Sequence, residues 1–225
     1  MAVKKSDVLI ADSKGIQSYL KNKYNVNSNY IAYGADIIDK PEVKVLNSYG
    51  LQPDNYNLLI ARFEPENNIE IIIKGHLNSN KKLVLIGNHK NDFGNYLTSA
   101  YMHKNIIYLG GIYDEKTLNA LRYYSASYFH GHSVGGTNPS LLEAMACGCL
   151  IIAHQNEFNR SVLGENAFYF ETPADIHSFL IKGIQKTEYL NLIRNNYTVI
   201  KQEFNWEHIA SQLDVLFKGS IKKNE

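Results

Sequence analysis

Short apolar runs alternate with amphipathic segments between about residue 56 and residue 170. The apolar runs predict six strands, at 57–61, 83–87, 106–109, 127–130, 149–153 and 167–170. Helices are predicted between most of these strands, as in segment 66–78, and again at the end of the chain, in segment 206–217. In segment 66–78, five residues have the spacing i, i+3, i+4, i+7 and i+8 that is typical of one helix face: Ile69, Ile72, Ile73, His76 and Leu77. Strands that alternate with helices predict an α/β fold, a Rossmann-like doubly wound parallel sheet.

The N-terminal part of the chain follows a different pattern. Residues 7–12 and 29–33 predict two strands and residues 13–23 a helix between them, whereas residues 34–55 have two prolines and little periodicity. One strand–helix–strand unit has too little core to fold alone. We therefore interpret 1–33 as the end of a preceding domain, 34–55 as a linker, 56–218 as a complete domain and 219–225 as a frayed tail.

Amino-acid composition and net charge indicate which kinds of protein and ligand are compatible with this sequence. The 225 residues include 44% hydrophobic and 20% charged residues, as in ordinary globular proteins, and the net charge is +1. Such a charge gives no general attraction to nucleic acid or anionic membranes, so an anionic ligand must be held by donors placed locally. The two cysteines, Cys147 and Cys149, are poorly spaced for a disulfide and too few for a zinc site. With no signal-peptide pattern and no apolar run of membrane-spanning length, we expect a cytoplasmic protein.

The carboxyl ends of the predicted strands mark the place where an open α/β sheet binds its ligands. The residues found there are Arg62, Gly87, Gly110, Gly111, His130 and His132. Glycine lets a ligand approach the backbone closely. Arg62 is a candidate for binding an anion, with a surface ion pair to Glu64 or Glu66 as the alternative. His130 and His132 lie at alternate positions, but no third ligand is evident nearby, so we expect no metal site.

The stretch HSVGGTNPSLLEAMACG, residues 132–148, predicts a loop followed by a helix. Asn138 suits the N-cap, Pro139 the first helical position and Gly148 the residue just past the end. The first amides of a helix lack internal partners and carry partial positive charge, which favours an anion such as phosphate. Ser140 and Leu141 are therefore predicted to supply two backbone donors, with the Ser140 hydroxyl as a third.

Glu143 lies one turn deeper on the same helix face as Ser140. A carboxylate accepts two hydrogen bonds and suits a neighbouring diol. Phosphate at the helix start and a diol one turn further indicate the ribose of a nucleotide, with a solvated helix residue as the alternative. The loop of Gly135, Gly136 and Thr137 is expected to approach the same ligand.

Four segments resemble those of one enzyme family. The segment GGTNPSLLEAMACGCLII resembles the signature of retaining GT-B glycosyltransferases of the bacterial group 1, or family four, type. LIARFEPENNIEIIIKG looks like their phosphate-binding strand, loop and helix, and FNWEHIASQLDVLF like their closing helix. DVLIADSKGIQSYLKNKYNVNSNYIAYGAD is similar to the end of their N-terminal domain. The version HGHSVGGTNPSLLEAM is most similar to a subset of sugar transferases, often rhamnosyl transferases, of bacterial surface polysaccharides.

The resemblance implies roles for three residues. Glu143 matches the acid that binds the ribose hydroxyls, Arg62 the arginine that contacts the diphosphate, and Ser140 the hydroxyl at the helix start. Arg62 and Glu143 are thus the catalytic candidates. The leaving diphosphate would be stabilised electrostatically, without a required metal.

Two positions depart from the family pattern. The first glutamate of the usual Glu, seven residues, Glu arrangement is Gly135, and the usual lysine after the phosphate-binding arginine is Asn67. The second departure removes one positive charge from the diphosphate site. Arg160, or a protonated His130 or His132, is a candidate to replace that charge.

The family resemblance also implies the function. The domain of residues 56–218 would be the C-terminal GT-B domain, which binds a nucleotide-diphosphate sugar of the UDP, GDP or dTDP type. The acceptor would be a glycan or a lipid-linked molecule, and the full-length enzyme would be cytoplasmic or peripheral at the inner membrane face. Compared with that family, most of the N-terminal domain would lie outside this sequence, so this chain alone is expected to bind nucleotide and to transfer little or nothing. The alternatives are a nucleotide-binding subunit of a split glycosyltransferase and a sugar-nucleotide epimerase; neither a nucleic-acid partner nor a cofactor is expected.

Overall fold

A six-stranded parallel sheet forms the centre of the protein, in a computed structural model that describes residues 3 and 5–221. Its strands are β3 (Asn57–Ile60), β4 (Leu83–Ile86), β5 (Ile106–Gly110), β6 (Ser127–His130), β7 (Ile151–His154) and β8 (Phe168–Phe170). All six predicted strands are present, with bounds that differ by two residues at most.

The order of strands across the sheet is β5-β4-β3-β6-β7-β8, and every neighbouring pair is parallel. Counted along the chain, this is the 3-2-1-4-5-6 order of a Rossmann fold. The direction of winding reverses between β3 and β6, which opens a crevice beyond their carboxyl ends. The predicted doubly wound α/β fold is confirmed.

Helices cover both faces of the sheet. They are α2 (Ile69–Leu77), α3 (Asp92–Ala100), α4 (Glu115–Tyr123), α5 (Pro139–Ala146), α6 (Glu157–Leu163), α7 (Pro173–Lys182), α8 (Leu190–Glu203) and α9 (Trp206–Ile221). Alternate side chains of a strand point to opposite faces, so Leu58 belongs to one buried apolar cluster and Leu59 to the other. The apolar face predicted for α2 is buried at Ile69, Ile72 and Ile73.

The N-terminal residues form a separate two-stranded parallel sheet. Strand β1 (Ile10–Ala11) pairs with β2 (Asn29–Tyr30), and helix α1 (Lys14–Tyr24) connects them. Both strands are shorter than predicted. The segment 34–55 contains a 3₁₀ helix, Val43–Tyr49, and its Leu46 side chain is buried, which its weak periodicity did not indicate.

The last helix differs from the predicted one in two respects. It runs to Ile221, three residues into the segment predicted to be frayed, and residues 222–225 lie outside the described residues. Its apolar side chains are also only partly buried: Ile209 is buried, whereas Trp206 and Phe217 are exposed. In the described part of the chain, no helix is both long and apolar enough to cross a membrane.

Candidate functional site

A cleft of about 630 Å³ opens beyond the carboxyl ends of β3 and β6. Eight residues predicted from the sequence contribute to its wall: Arg62, Gly87, Gly111, His130, His132, Asn138, Ser140 and Glu143. Five other predicted residues do not line the cleft, but each lies within a few residues of a lining residue in the sequence: Gly110, Gly135, Gly136, Thr137 and Leu141. The structure therefore brings most of the predicted site together at the predicted edge of the sheet.

Helix α5 begins as predicted, but its first donors are already bonded. Asn138 caps the helix: its side-chain oxygen accepts from the Ser140 N–H at 2.9 Å, and its carbonyl accepts from the Leu141 N–H at 3.1 Å. The Ser140 hydroxyl is 2.7 Å from the hydroxyl of Tyr128. The expectation of open amide donors at this helix start is thus not met, because the cap satisfies them.

The glycine-rich loop before α5 packs against the end of β1. A Cβ on Gly136 would lie 2.0 Å from the Asp12 carboxylate, and the Thr137 hydroxyl donates to the Asp12 carbonyl at 2.6 Å. Gly136 is therefore required by close packing. Gly135 has a φ of +116°, a conformation that favours glycine. Within the described residues, the N–H groups of Gly135 and Gly136 have no hydrogen-bond acceptor.

Glu143 faces a partner that the sequence did not reveal. The Arg122 guanidinium donates from Nη2 to Oε2 of Glu143. The Arg122 side chain is 3% exposed and the Glu143 side chain 47%. The Nε atom of Arg122 is buried and has no acceptor among the described residues. Glu143 is therefore anchored at one oxygen, and it is not a freely solvated helix residue.

Arg122 lines the cleft and is the last buried residue of α4. Sequence reasoning missed it because no motif surrounds it and because a cation in the last turn of a helix is ordinary. The available signal was its position directly after the apolar pair Ala120 and Leu121, which are both buried in α4. A buried cation needs an anionic partner, and Glu143 is that partner here.

Arg62 follows β3 and is exposed on the cleft wall. In the described part of the chain, its guanidinium makes no hydrogen bond and no ion pair, so the alternative pairing with Glu64 or Glu66 is not seen. Its backbone carbonyl accepts from the Asn67 side-chain amide at 2.8 Å. The guanidinium is thus available to an anionic ligand.

His130 and His132 are both held in the neutral form. Burial lowers the pKa of His130 to about 3, and its Nε2 atom has no partner among the described residues. Burial, together with the charge of Arg62, also lowers the pKa of His132. The His132 Nδ1 atom is 2.9 Å from the Asn67 side-chain oxygen. The hypothesis of a protonated histidine that replaces a missing charge is therefore wrong for this structure.

The glycines at the ends of β4 and β5 let the backbone segments meet. The Gly87 N–H donates to the Gly110 carbonyl at 2.9 Å, and a Cβ on Gly87 would lie 2.0 Å from the Ala61 carbonyl oxygen. Gly110 has a φ of +75°. Close packing of the strand ends thus accounts for Gly87 without any ligand.

Arg160 is not brought to the cleft. Its guanidinium lies 3.8 Å from the centre of the Tyr169 ring and donates to Glu165 at 2.7 Å and to Gln155 at 3.2 Å. The Arg160 guanidinium, which the sequence suggested as a cation for binding the diphosphate, is therefore already paired with other residues. Among the described residues, no group of three or more His, Cys, Asp or Glu side chains is arranged to hold a metal ion. Both cysteines are buried free thiols, as expected.

Comparison with known proteins gives the family. Residues 47–188 match the family described as "Glycosyl transferases group 1". The chain is 26% identical to an uncharacterized glycosyltransferase of Methanocaldococcus jannaschii, over 97% of this chain and 60% of that protein. It is 23% identical to the alpha-monoglucosyldiacylglycerol synthase of Streptococcus pneumoniae, over 97% of this chain and 54% of that protein. The chain thus spans little more than half the length of these relatives.

Solved structures share the fold. The sucrose-phosphate synthase of Thermosynechococcus elongatus superposes with a TM-score of 0.81 at 19% identity, over 97% of this chain and 59% of that one. Anabaena HepE in complex with UDP-glucose superposes with a TM-score of 0.84 at 16% identity, over 95% of this chain and 64% of that one. These structures have the GT-B architecture that the sequence predicted. The chain belongs to the group 1 glycosyltransferase family.

Proposed function

We propose that this chain is the donor-binding half of a retaining glycosyltransferase and that its cleft binds a nucleotide-diphosphate sugar. The observation that carries the proposal is the pair of charges on one cleft wall. Arg62 is a cation without an ion pair, and Glu143 is a carboxylate with one oxygen anchored by Arg122. A nucleoside diphosphate offers an anion to the first and sugar hydroxyls to the second, a diol in UDP and GDP and the 3′-hydroxyl alone in dTDP.

The ribose is assigned to Glu143. Its Oε2 atom is occupied by Arg122, which leaves Oε1 to accept from the ribose hydroxyls. Because Arg122 is buried and extends from α4, it fixes the carboxylate against the cleft wall. A preformed acceptor loses less conformational entropy on binding than a mobile side chain does.

The diphosphate is assigned to Arg62. In the transfer step, the bond between the anomeric carbon of the sugar and a diphosphate oxygen breaks, and negative charge develops on the leaving diphosphate. A guanidinium beside that oxygen stabilises the charge in the transition state more than in the ground state. The open N–H groups of Gly135 and Gly136 are further donors near this end of the cleft. In this proposal no metal ion is needed to neutralise the leaving group.

The donor class is proposed from the relatives. Anabaena HepE has been solved with UDP and with UDP-glucose, and the pneumococcal O-GlcNAc transferase GtfA with UDP and GlcNAc. For this chain we propose a UDP, GDP or dTDP sugar, and a rhamnosyl or similar sugar of surface polysaccharides. The acceptor, a glycan or a lipid-linked molecule, is assigned to the part of the relatives that this chain does not span. The whole enzyme would work in the cytoplasm or at the inner membrane face.

Calorimetric titration with UDP, GDP, dTDP and ADP tests the proposal. We expect one diphosphate to bind, and Glu143→Ala to weaken it about 10- to 150-fold, the cost of losing hydrogen bonds to a charged acceptor. Arg62→Met should weaken the same diphosphate by a similar factor. Glu157→Gln, an exposed glutamate of α6 away from the cleft, is the matched control.

A second experiment tests the assignment of the ribose to Glu143 separately from that of the diphosphate. If the ribonucleotide binds, its 2′-deoxy analogue should bind less tightly to the unaltered chain, and Glu143→Ala should abolish that difference. Diphosphate binding that ignores Glu143→Ala would contradict the ribose assignment. Absence of binding to all four diphosphates would contradict the proposed function of this chain.

A further inference from the structure

Asn67 and Gly135 both lie against the ring of His132, a residue of the cleft wall. Asn67 precedes α2, His132 follows β6, and Gly135 lies in the loop before α5. The Asn67 side-chain amide donates to the Arg62 carbonyl at 2.8 Å, which fixes which end of the amide is nitrogen. Its oxygen therefore faces the His132 Nδ1 atom, 2.9 Å away.

This contact sets the tautomer of His132. An amide oxygen only accepts, so the hydrogen of the ring lies on Nδ1. The ring is neutral, because burial and the charge of Arg62 oppose protonation. Nε2 is then a lone-pair acceptor, and it cannot donate.

The surroundings leave Nε2 open and hold the ring in place. A Cβ on Gly135 would lie 3.2 Å from Nε2, so a side chain at this position would crowd that atom. The His132 carbonyl accepts from the side-chain amides of Asn156 and Asn159, both at 3.0 Å. The His132 backbone is thus held by two side-chain amides and the ring by Asn67. Among the described residues, Nε2 has no hydrogen-bond partner, and His132 itself lines the cleft.

We propose that Nε2 of His132 accepts a hydrogen bond from a hydroxyl of the donor's sugar, which makes His132 a specificity-determining residue. This inference rests on the proposed function. Phosphate oxygens at neutral pH only accept hydrogen bonds, so the diphosphate is no partner for Nε2. The ribose is assigned to Glu143, and the base lies beyond the ribose. His132 instead lies beside Arg62, whose charge acts on it, at the diphosphate end where the sugar is attached.

Comparing a nucleoside diphosphate with its sugar nucleotides tests this assignment. The unaltered chain and His132→Ala are titrated with whichever of UDP, GDP and dTDP binds, and with the matching UDP-glucose, GDP-mannose or dTDP-rhamnose. We expect His132→Ala to weaken the sugar nucleotide about three- to tenfold, the effect of one neutral hydrogen bond. The free diphosphate should bind within about twofold of its original affinity. His132→Gln, which keeps an acceptor, should recover part of the loss, and His177→Ala in α7 is the control.

The tautomer gives a readout that does not depend on binding. Nitrogen-15 spectra of the histidine rings should show Nδ1–H for His132, and Asn67→Leu should abolish that preference and weaken the sugar nucleotide as well. Adding the sugar nucleotide should shift the Nε2 resonance, whereas the diphosphate alone should not. Equal losses for diphosphate and sugar nucleotide, no loss for either, or an Nε2–H tautomer would overturn the assignment. If the unaltered chain binds no diphosphate, the proposed function itself fails, and this inference fails with it.

Discussion

The two ends of the central sheet treat their buried polar groups differently. At the amino ends of β3 and β6, Ser127 donates to the Asn57 side-chain oxygen at 2.8 Å, and the Asn57 amide lies 3.1 Å from His76 Nε2. His76 Nδ1 in turn lies 2.8 Å from the Ile72 carbonyl. Each side-chain donor in this hydrogen-bonded network has an acceptor, so the network is a satisfied part of the core.

At the carboxyl ends of the same strands, several polar and charged groups have no partner among the described residues. Among the described residues, buried Nε of Arg122 and buried Nε2 of His130 have no partner, and the Arg62 guanidinium forms no ion pair. An unpartnered buried polar atom costs free energy that folding alone does not recover. His76 and His130 are thus both buried, and they differ in that His130 has a ring nitrogen without a partner among the described residues. We propose unmet hydrogen-bonding capacity, and not burial, as the criterion that marks a ligand-binding histidine in this fold.

Acid should destabilise both ends, and this is the largest expected effect. Burial lowers the pKa of His76 to about 4 and that of His130 to about 3, from 6.5. Below pH 6.5 the unfolded chain takes up protons that the folded chain does not, so stability is lost as the pH falls toward the folded values. From pH 7 to pH 5 the two histidines together should lower the free energy of unfolding by about 4 kcal/mol.

Urea unfolding at both pH values measures that change. His130→Phe removes one of the two groups, and it should reduce the loss to about half. A free energy of unfolding that is equal at pH 7 and pH 5 would contradict the lowered pKa of both rings, and a loss of about half the expected size in the unaltered chain would contradict one of them.

Breaking the satisfied network should be the next largest effect. His76→Leu leaves the buried Asn57 amide without its acceptor, at a cost of about 2–3 kcal/mol in the free energy of unfolding. Diphosphate affinity per folded molecule should stay the same, because the site lies at the other end of the strands. Because Asn57 also accepts from Ser127, the compensating variant combines His76→Leu with Asn57→Leu and Ser127→Ala. It removes all three side chains of the network, and it should recover part of the loss. A single variant as stable as the unaltered chain would contradict this account of the amino end.

Most of the fold was predictable from the sequence, because the signals were local. Apolar runs of four or five residues marked all six strands, and Asn138 with Pro139 marked the start of α5. These features depend on neighbours in the chain. The 3₁₀ helix Val43–Tyr49 was missed, because its burial comes from packing against α4 and not from a period of its own.

The site was only partly predictable, for the same reason. The strand ends led to Arg62 and Glu143, but the partner of Glu143 is Arg122, 21 residues earlier in the chain. The predicted helix start suggested open donors at Ser140, and the departure from the family pattern suggested a charge from Arg160. The local cap by Asn138 already occupies the Ser140 amide. Pairings across space with Tyr128 and Tyr169 engage the Ser140 hydroxyl and Arg160, and a single sequence does not reveal these two pairings.

Replacing the unsatisfied histidine should have a smaller effect on stability. His130→Phe removes a buried ring nitrogen that already lacks a partner but inserts a larger ring. The free energy of unfolding at pH 7 should therefore fall by about 1 kcal/mol, the low end of the range for enlarging a core side chain. Nucleotide-sugar affinity should nevertheless fall about three- to tenfold if the ligand uses this atom. A loss of stability as large as that of His76→Leu would remove the contrast between the two ends of the sheet.

The smallest expected effect belongs to Arg160, and it decides whether unmet capacity is the right criterion. Arg160→Gln removes a cation that the sequence suggested for the diphosphate, but that cation is already stacked on Tyr169 and paired with the exposed Glu165. A satisfied charge outside the cleft should contribute nothing to the ligand, so diphosphate affinity should stay within about twofold of the original value. Stability should change by about 1 kcal/mol or less, as for other exposed pairs. The matched test is Arg62→Gln, in which the same substitution removes an unpaired cation. If both variants lost affinity equally, charge near the sheet edge would matter more than its partners, and the distinction between satisfied and unsatisfied groups would not identify this site.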